Sequence, residues 1–132
     1  MSVTDTIADM LTIIRNGVMA RKATLEVKRS KANESILAIF KDEGFISNYK
    51  AIDDKRQGII KVYLKYEKDK TPFIVGIKKI SKPGRRMYIK NKEIKSVYGG
   101  IGVALISTSE GIMTGEKAKE KKLGGEILCN IW

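Results

Sequence analysis

Along the first part of the chain, apolar positions recur in threes and fours. In "TDTIADMLTIIRNGVMA", residues 4 to 20, Ile7, Met10, Leu11, Ile14 and Val18 fall on one side of a 3.6-residue period, which predicts an amphipathic helix. Thr4 or Asp5 is expected to cap it, and Gly17 to loosen its last turn. "TLEVK", residues 24 to 28, alternates and reads as a short strand. Ser30 then stands as N-cap of a second helix over 31 to 43, with Ile36, Leu37 and Phe40 inward and Gly44 as its stop. Strands are expected over 45 to 52 and 59 to 66, joined through "DDKRQG". In "IIKVYLKY", Ile60, Val62, Leu64 and Tyr66 alternate with Lys61, Tyr63 and Lys65, so one face is buried and the other is wet.

A charged stretch ending in proline, "EKDKTP", marks the expected boundary between two lobes, 1–70 and 71–132. Beyond it the pattern is mostly strand. "FIVGIKKI" and "MYIK" are strands joined by the tight turn "KPGR", whose Pro83 and Gly84 supply special backbone angles. After a short "KEIKSV" element come the strand-like "GIGVALIST" and "GIMT", a solvated helix in "GEKAKEKK", and a final strand "GGEILCNIW", with Trp132 at a core edge. The expected fold is α+β: an N-terminal α-β-α-β-β lobe, then a lobe of mostly antiparallel strands with short helices.

Composition narrows the function. Twenty-six Lys and Arg oppose fifteen Asp and Glu, a formal charge of +11, which points to a polyanion, nucleic acid before membrane. The distribution is uneven. Lys78 to Lys95 holds eight cations (Lys78, Lys79, Lys82, Arg85, Arg86, Lys90, Lys92 and Lys95) against Glu93, whereas Ser96 to Thr114 holds no Lys or Arg. Arg15, Arg21, Lys22, Lys28, Arg29 and Lys31 form a second basic group around the first helix end and strand; each is also an ordinary solvated cation. No apolar run approaches the roughly 20 residues of a membrane span, and the N-terminus lacks the order of a secretory signal, so the expected location is the cytoplasm. With no histidine and a single cysteine, Cys129, neither a zinc site of the usual type nor an internal disulfide is expected, and no cofactor is implied.

The neutral segment carries three adjacent hydroxyls, Ser107, Thr108 and Ser109. As a nucleophile elbow it fails: Ser107 stands where the first glycine of Gly-x-Ser-x-Gly belongs, and no histidine is present to take a proton from Ser109. "GGIGVAL" keeps two glycines of a dinucleotide fingerprint and has Leu105 in place of the third. An RNA-facing role fits better, because a small uncharged donor and acceptor can meet a ribose hydroxyl, a base edge or a phosphate oxygen. The plainer alternative is that these are turn-forming residues at a strand end. Gly124 and Gly125 either admit a ligand close to the backbone or simply start a strand, and Glu126 can accept from base amino or ribose hydroxyl groups. Tyr88, following Arg85 and Arg86, either stacks on a base or packs inward.

The runs "GIGVALISTSEGIMT" and "EKAKEKKLGGEILCNIW", with "DTIADMLTIIRNG" and "ISKPGRRMY", closely resemble the signature of the bacterial small-subunit ribosomal protein S-eight family over essentially the whole chain. That resemblance implies a non-enzymatic primary binder of small-subunit ribosomal RNA. Such a protein is attached to an irregular helix of the central domain, is needed for platform assembly, neighbours other ribosomal proteins, and represses its own operon messenger. The RNA-contacting positions it implies are Ser107, Thr108 and Ser109, Gly124, Gly125 and Glu126, and Tyr88. The basic turn Lys82, Arg85 and Arg86 supplies attraction, and Thr4 and Asp5 add an N-terminal contribution. The chain departs from the family in having Thr6 where proline is usual and Lys119 near a usual Arg. A hydrolase or transferase using Ser109 and a module for an acidic protein partner are the competing readings. An active-serine reagent decides the first: no adduct on Ser109 by mass spectrometry is the expected result, and stoichiometric labelling that RNA fails to compete is the hydrolase result.

Overall fold

In the computed structural model, residues 3–53, 58–82, 84–95 and 100–132 are described, with side chains from residue 6 onward. The chain divides into two compact units, Met1–Val75 and Gly76–Trp132. The charged "EKDKTP" stretch falls inside the first of them.

The first unit follows from its periodicities. Helix α1 (Val3–Met19) buries Ile7, Met10, Leu11, Ile14 and Val18. Because the helix starts at Val3, Thr4 and Asp5 lie within its first turn and neither is the N-cap; their side chains are outside the described set. Strand β1 (Thr24–Lys28) leads to α2 (Lys31–Asp42), where Ser30 sits in extended backbone and its hydroxyl accepts from the Asn33 N–H at 3.0 Å. Asn33 is itself buried, and its Nδ2 donates to the Lys28 carbonyl at 2.9 Å, tying the helix start to the strand end. The close of α2 is a Schellman motif. Gly44 takes φ +82°, its N–H donates to Lys41 O, and Phe45 N–H reaches Phe40 O at 2.8 Å. The two phenyl rings meet edge to face at 6.4 Å. Phe45 therefore completes the helix instead of opening the next strand, and β2 begins one residue later (Ile46–Ile52).

β3 (Ile59–Leu64) is the central strand of an antiparallel sheet in the order β1-β3-β2. Leu25 faces Val62 and Val27 faces Ile60, all buried, under the two helices. β3 stops at Leu64, short of the expected Tyr66, which forms only an isolated bridge to Pro72. Its hydroxyl donates to the Lys22 carbonyl at 2.6 Å, and burial raises its pKa. Gly17 sets a packing distance. A Cβ there would come within 2.5 Å of the Leu25 side chain, so the glycine lets α1 lie close on β1. The "DDKRQG" connection falls largely on residues 54–57, outside the described set.

In the second unit an antiparallel sheet runs β4-β8-β6-β7, with β5 also on β8. Its strands are β4 (Ile77–Lys79), β5 (Tyr88–Ile89), β6 (Val103–Thr108), β7 (Gly111–Thr114) and β8 (Gly125–Ile131). The strands expected over 73–80 and 87–90 are shorter than their apolar patterns, because each needs β8 as its partner. Pairing at one end begins where Gly76 and Trp132 exchange backbone hydrogen bonds (3.1 and 3.0 Å); Phe73 and Val75 lie outside that ladder and are exposed, the Phe73 N–H donating instead to the Lys65 carbonyl at 3.1 Å. At the other end β8 opens at Gly125, opposite Ile89, leaving Lys90 beyond the ladder. Gly76 has no room for a side chain, since a Cβ would run into the Trp132 indole.

The "KEIKSV" element is a 3-10 turn at Asn91–Glu93; its residues 96–97 are outside the described set. The "KPGR" turn forms, with Lys82 and Arg85 exchanging backbone hydrogen bonds at 3.1 and 2.9 Å. Gly84 does not use left-handed backbone there, and Pro83 is outside the described set. Helix α3 (Gly115–Glu120), capped by Thr114, closes a small core of Ile94, Ile106, Met113 and Ala118, with Ile89 and Leu123 at its margin.

Cys129 is fully buried on β8, and desolvation pushes its thiol up to about 12. A raised thiol pKa favours the folded state while the thiol stays protonated. That contribution is intact below the ordinary thiol value of 9.0 and is lost as pH climbs towards 12. Native protein at pH 8 is expected to leave Cys129 unreacted with a disulfide reagent and to react fully in denaturing urea. Rapid labelling of the native state would contradict its burial.

Candidate nucleic-acid interface

Strand register decides which of the singled-out residues meet. In an antiparallel ladder, residues directly opposite one another point to the same face. Tyr88 on β5 faces Glu126 on β8, and Glu126 faces Ser107 on β6, so the three side chains form one row across three strands. The next row turns the other way, with Ile106 opposite Ile127, and Ile106 enters the small core. The ambiguity over Tyr88 is thereby resolved: it is 72% exposed and is not a core residue.

Arg86 joins the row, its Nη1 lying 3.3 Å from Glu126 Oε2. The pair is partly screened, the Arg86 side chain 34% and that of Glu126 17% exposed, so it remains within reach of a ligand at the sheet surface. Lys82, Arg85 and Arg86 project from the turn just before β5, and all three are exposed. What holds that turn is Ser81, which the sequence reading passed over. It is buried; its Oγ accepts from the Met87 N–H at 2.9 Å and lies 3.4 Å from the Met87 carbonyl oxygen. Ser81 thus clamps both ends of the basic loop, and no local sequence signal distinguishes it from a solvated turn serine.

The three hydroxyls do not behave alike. Ser107 is half-buried in the row, and Ser109 is exposed at the tip of the β6–β7 hairpin. Thr108 Oγ1 donates to the Gly111 carbonyl at 2.8 Å and accepts from the Glu110 N–H at 3.1 Å, so its hydroxyl is already used in forming the tip. Gly111 takes φ +110° at the far side of the same turn. Glu110 reaches Lys121 at 3.5 Å, an exposed pair linking the hairpin to the end of α3.

Gly124 and Gly125 admit close approach of backbone to backbone. A Cβ on Gly124 would stand 2.6 Å from the Ile89 carbonyl oxygen, and one on Gly125 would collide with the Ser107 carbonyl oxygen. The double glycine therefore seats β8 between β5 and β6 and brings Glu126 level with Ser107 and Tyr88. Thr4 and Asp5 belong to the other unit, in the first turn of α1.

Such a site belongs to a small basic α+β protein that offers an open polar sheet face beside a cationic loop. The ribosomal protein S8 family model matches residues 5–132. The small ribosomal subunit protein uS8 of Levilactobacillus brevis is 53% identical, and that of Syntrophomonas wolfei 52%, each alignment covering 100% of both chains. That of Petrotoga mobilis is 50% identical, over 97% of this chain and 98% of its own. The chain belongs to the ribosomal protein S8 family, whose members are structural, non-enzymatic proteins of the ribosome.

Gly125→Ala tests the packing directly. Forcing a methyl group against the Ser107 backbone is expected to lower stability by about 1–3 kcal/mol, read as a lower urea midpoint with unchanged slope. An unshifted midpoint would contradict the close approach.

Proposed function

We propose that the second unit reads RNA: it binds an irregular helix in the central domain of small-subunit ribosomal RNA and so helps to build the subunit platform. The observation that carries this reading is the in-register row of Tyr88, Glu126 and Ser107 on one outward face, with Arg86 attached and the cationic turn alongside. Family membership supports the setting, the cytoplasmic ribosome with neighbouring small-subunit proteins.

Each group has a physical task. Lys82 and Arg85 draw in phosphates without regard to sequence. Ser107 and Ser109 exchange hydrogen bonds with 2′-hydroxyls or base edges, Glu126 accepts from a base amino group or a ribose hydroxyl, and Tyr88 stacks on an unpaired base. Arg86 leaves Glu126 for a phosphate when RNA arrives, exposing the carboxylate. Thr108 shapes the tip, and Gly124 and Gly125 keep the strands close enough for the row to exist. Thr4 and Asp5 contribute a lesser contact from the first unit. No metal or cofactor takes part, and the protein is a monomer off the ribosome. A messenger that folds like the ribosomal helix is bound by the same surface, which represses translation of the operon.

Filter binding of the cognate ribosomal RNA helix, an unrelated duplex and transfer RNA at two salt concentrations separates these roles. Lys82→Ala or Arg85→Ala is expected to weaken all three and reduce the salt slope by about 1. Ser107→Ala with Ser109→Ala, leaving Thr108 to hold the turn, is expected to reduce preference for the cognate helix about tenfold. A double variant with unaltered preference sinks the reading.

A further inference from the structure

The first unit presents a surface that the reading above does not use. The helices pack on one face of the three-stranded sheet, and on the other the described side chains are half-buried or exposed. Along β3 that second face shows Ile59, Lys61 and Tyr63, and Lys65 continues the alternation, repeating every ~7 Å. Lys61 Nζ lies 5.5 Å from the centre of the Tyr63 ring, and Lys65 Nζ lies 4.5 Å from that of Phe73. Two cation–ring contacts therefore succeed one another, Lys61 with Tyr63 and Lys65 with Phe73, the second anchored where the Phe73 N–H donates to the Lys65 carbonyl at 3.1 Å. Phe73 is 36% exposed although large and apolar, and Tyr63 is half-buried at the sheet surface.

Charge across the strands adds to this. Lys61 stands directly opposite exposed Lys50 on β2, and opposite Glu26 on β1. Two lysines in direct cross-strand register repel each other, and the arrangement is relieved by an anion bound between them. Glu26 does not draw off the Lys61 ammonium, which rests over the Tyr63 ring instead. A phosphate at Lys50 and Lys61 satisfies both cations and frees that ring for a flat partner. An acidic peptide would meet the cations but leave the rings without a stacking partner, and a duplex would hide its base faces.

We infer that this face, through Lys50, Lys61, Tyr63, Lys65 and Phe73, binds an unpaired RNA segment, its bases stacking on the two rings and its phosphates held by the lysines. This second RNA surface lies on the first unit and does not rest on the role proposed for the Tyr88–Glu126–Ser107 row.

The test is fluorescence anisotropy of a short labelled oligoadenylate with the full chain at two salt concentrations, polyglutamate serving as competitor. Tyr63→Leu with Phe73→Leu is expected to weaken binding about tenfold. Lys50→Glu, at an exposed position, is expected to weaken it and to reduce the salt slope by about 0.7 or more. Ser107→Ala with Ser109→Ala is expected to leave it unchanged, which separates failure here from failure of the reading proposed for the second unit. If the ring variant unfolds early in a thermal melt, Lys50→Glu decides alone. Unchanged oligoadenylate affinity in the folded variants overturns the inference. So does polyglutamate binding as tightly as oligoadenylate and losing as much in the ring variant, which is the acidic-protein result.

Discussion

The position of β8 between its neighbours is the constraint on which the second unit depends. One edge of this strand pairs with β6 and the other with β4 and β5, so its register fixes every cross-strand row at once. A slip of one residue would send Glu126 to the core face and Ile127 to solvent. Three features resist that slip: the Gly76–Trp132 backbone pair at one end, Gly124 and Gly125 wedged against Ile89 and Ser107 at the other, and buried Cys129 between them. The row of Tyr88, Glu126 and Ser107 is thus a consequence of packing on the far side of the same strand. Apolar burial sets the register, and the register aligns the polar groups.

Strength and availability are divided between these two sides. The core face is closed by Ile106, Met113, Ala118 and Ile94, whose burial is the stabilising term. The outward face carries polar groups that the core does not need, the partly screened Arg86–Glu126 pair and the hydroxyls of Ser107 and Ser109. A surface built this way can surrender its own polar contacts to a ligand without loosening the strands beneath.

Much of the fold was legible from local pattern. Periodicity alone located α1, β1 and α2, and Ser30 was recognisable as a cap because a small hydroxyl residue precedes an apolar helical repeat. Misjudged boundaries share one cause, a partner distant in sequence. Phe45 belongs to the α2 cap because its ring meets Phe40, and the apolar run at 73–80 yields a strand only from Ile77 because its ladder with β8 opens at the Ile77–Ile131 pair. The candidate site was legible as a set of residue types but not as a geometry. Nothing near Tyr88 says which way it points, since that follows from pairing with Glu126, thirty-eight residues further along the chain. The hydroxyl triplet likewise reads as three equal groups, whereas the fold uses Thr108 to build the turn that displays Ser109. Ser81 gave no signal at all, because its role depends on burial under the loop it clamps.

At 14.8 kDa the chain suits amide-resolved nuclear magnetic resonance, and titration with the cognate ribosomal RNA helix measures the second unit's role most directly. The largest shifts on binding are predicted at Arg86 to Tyr88, Ser107 to Ser109 and Gly124 to Glu126, as one contiguous footprint. A footprint that leaves those amides undisturbed would contradict the assignment of recognition to this sheet face.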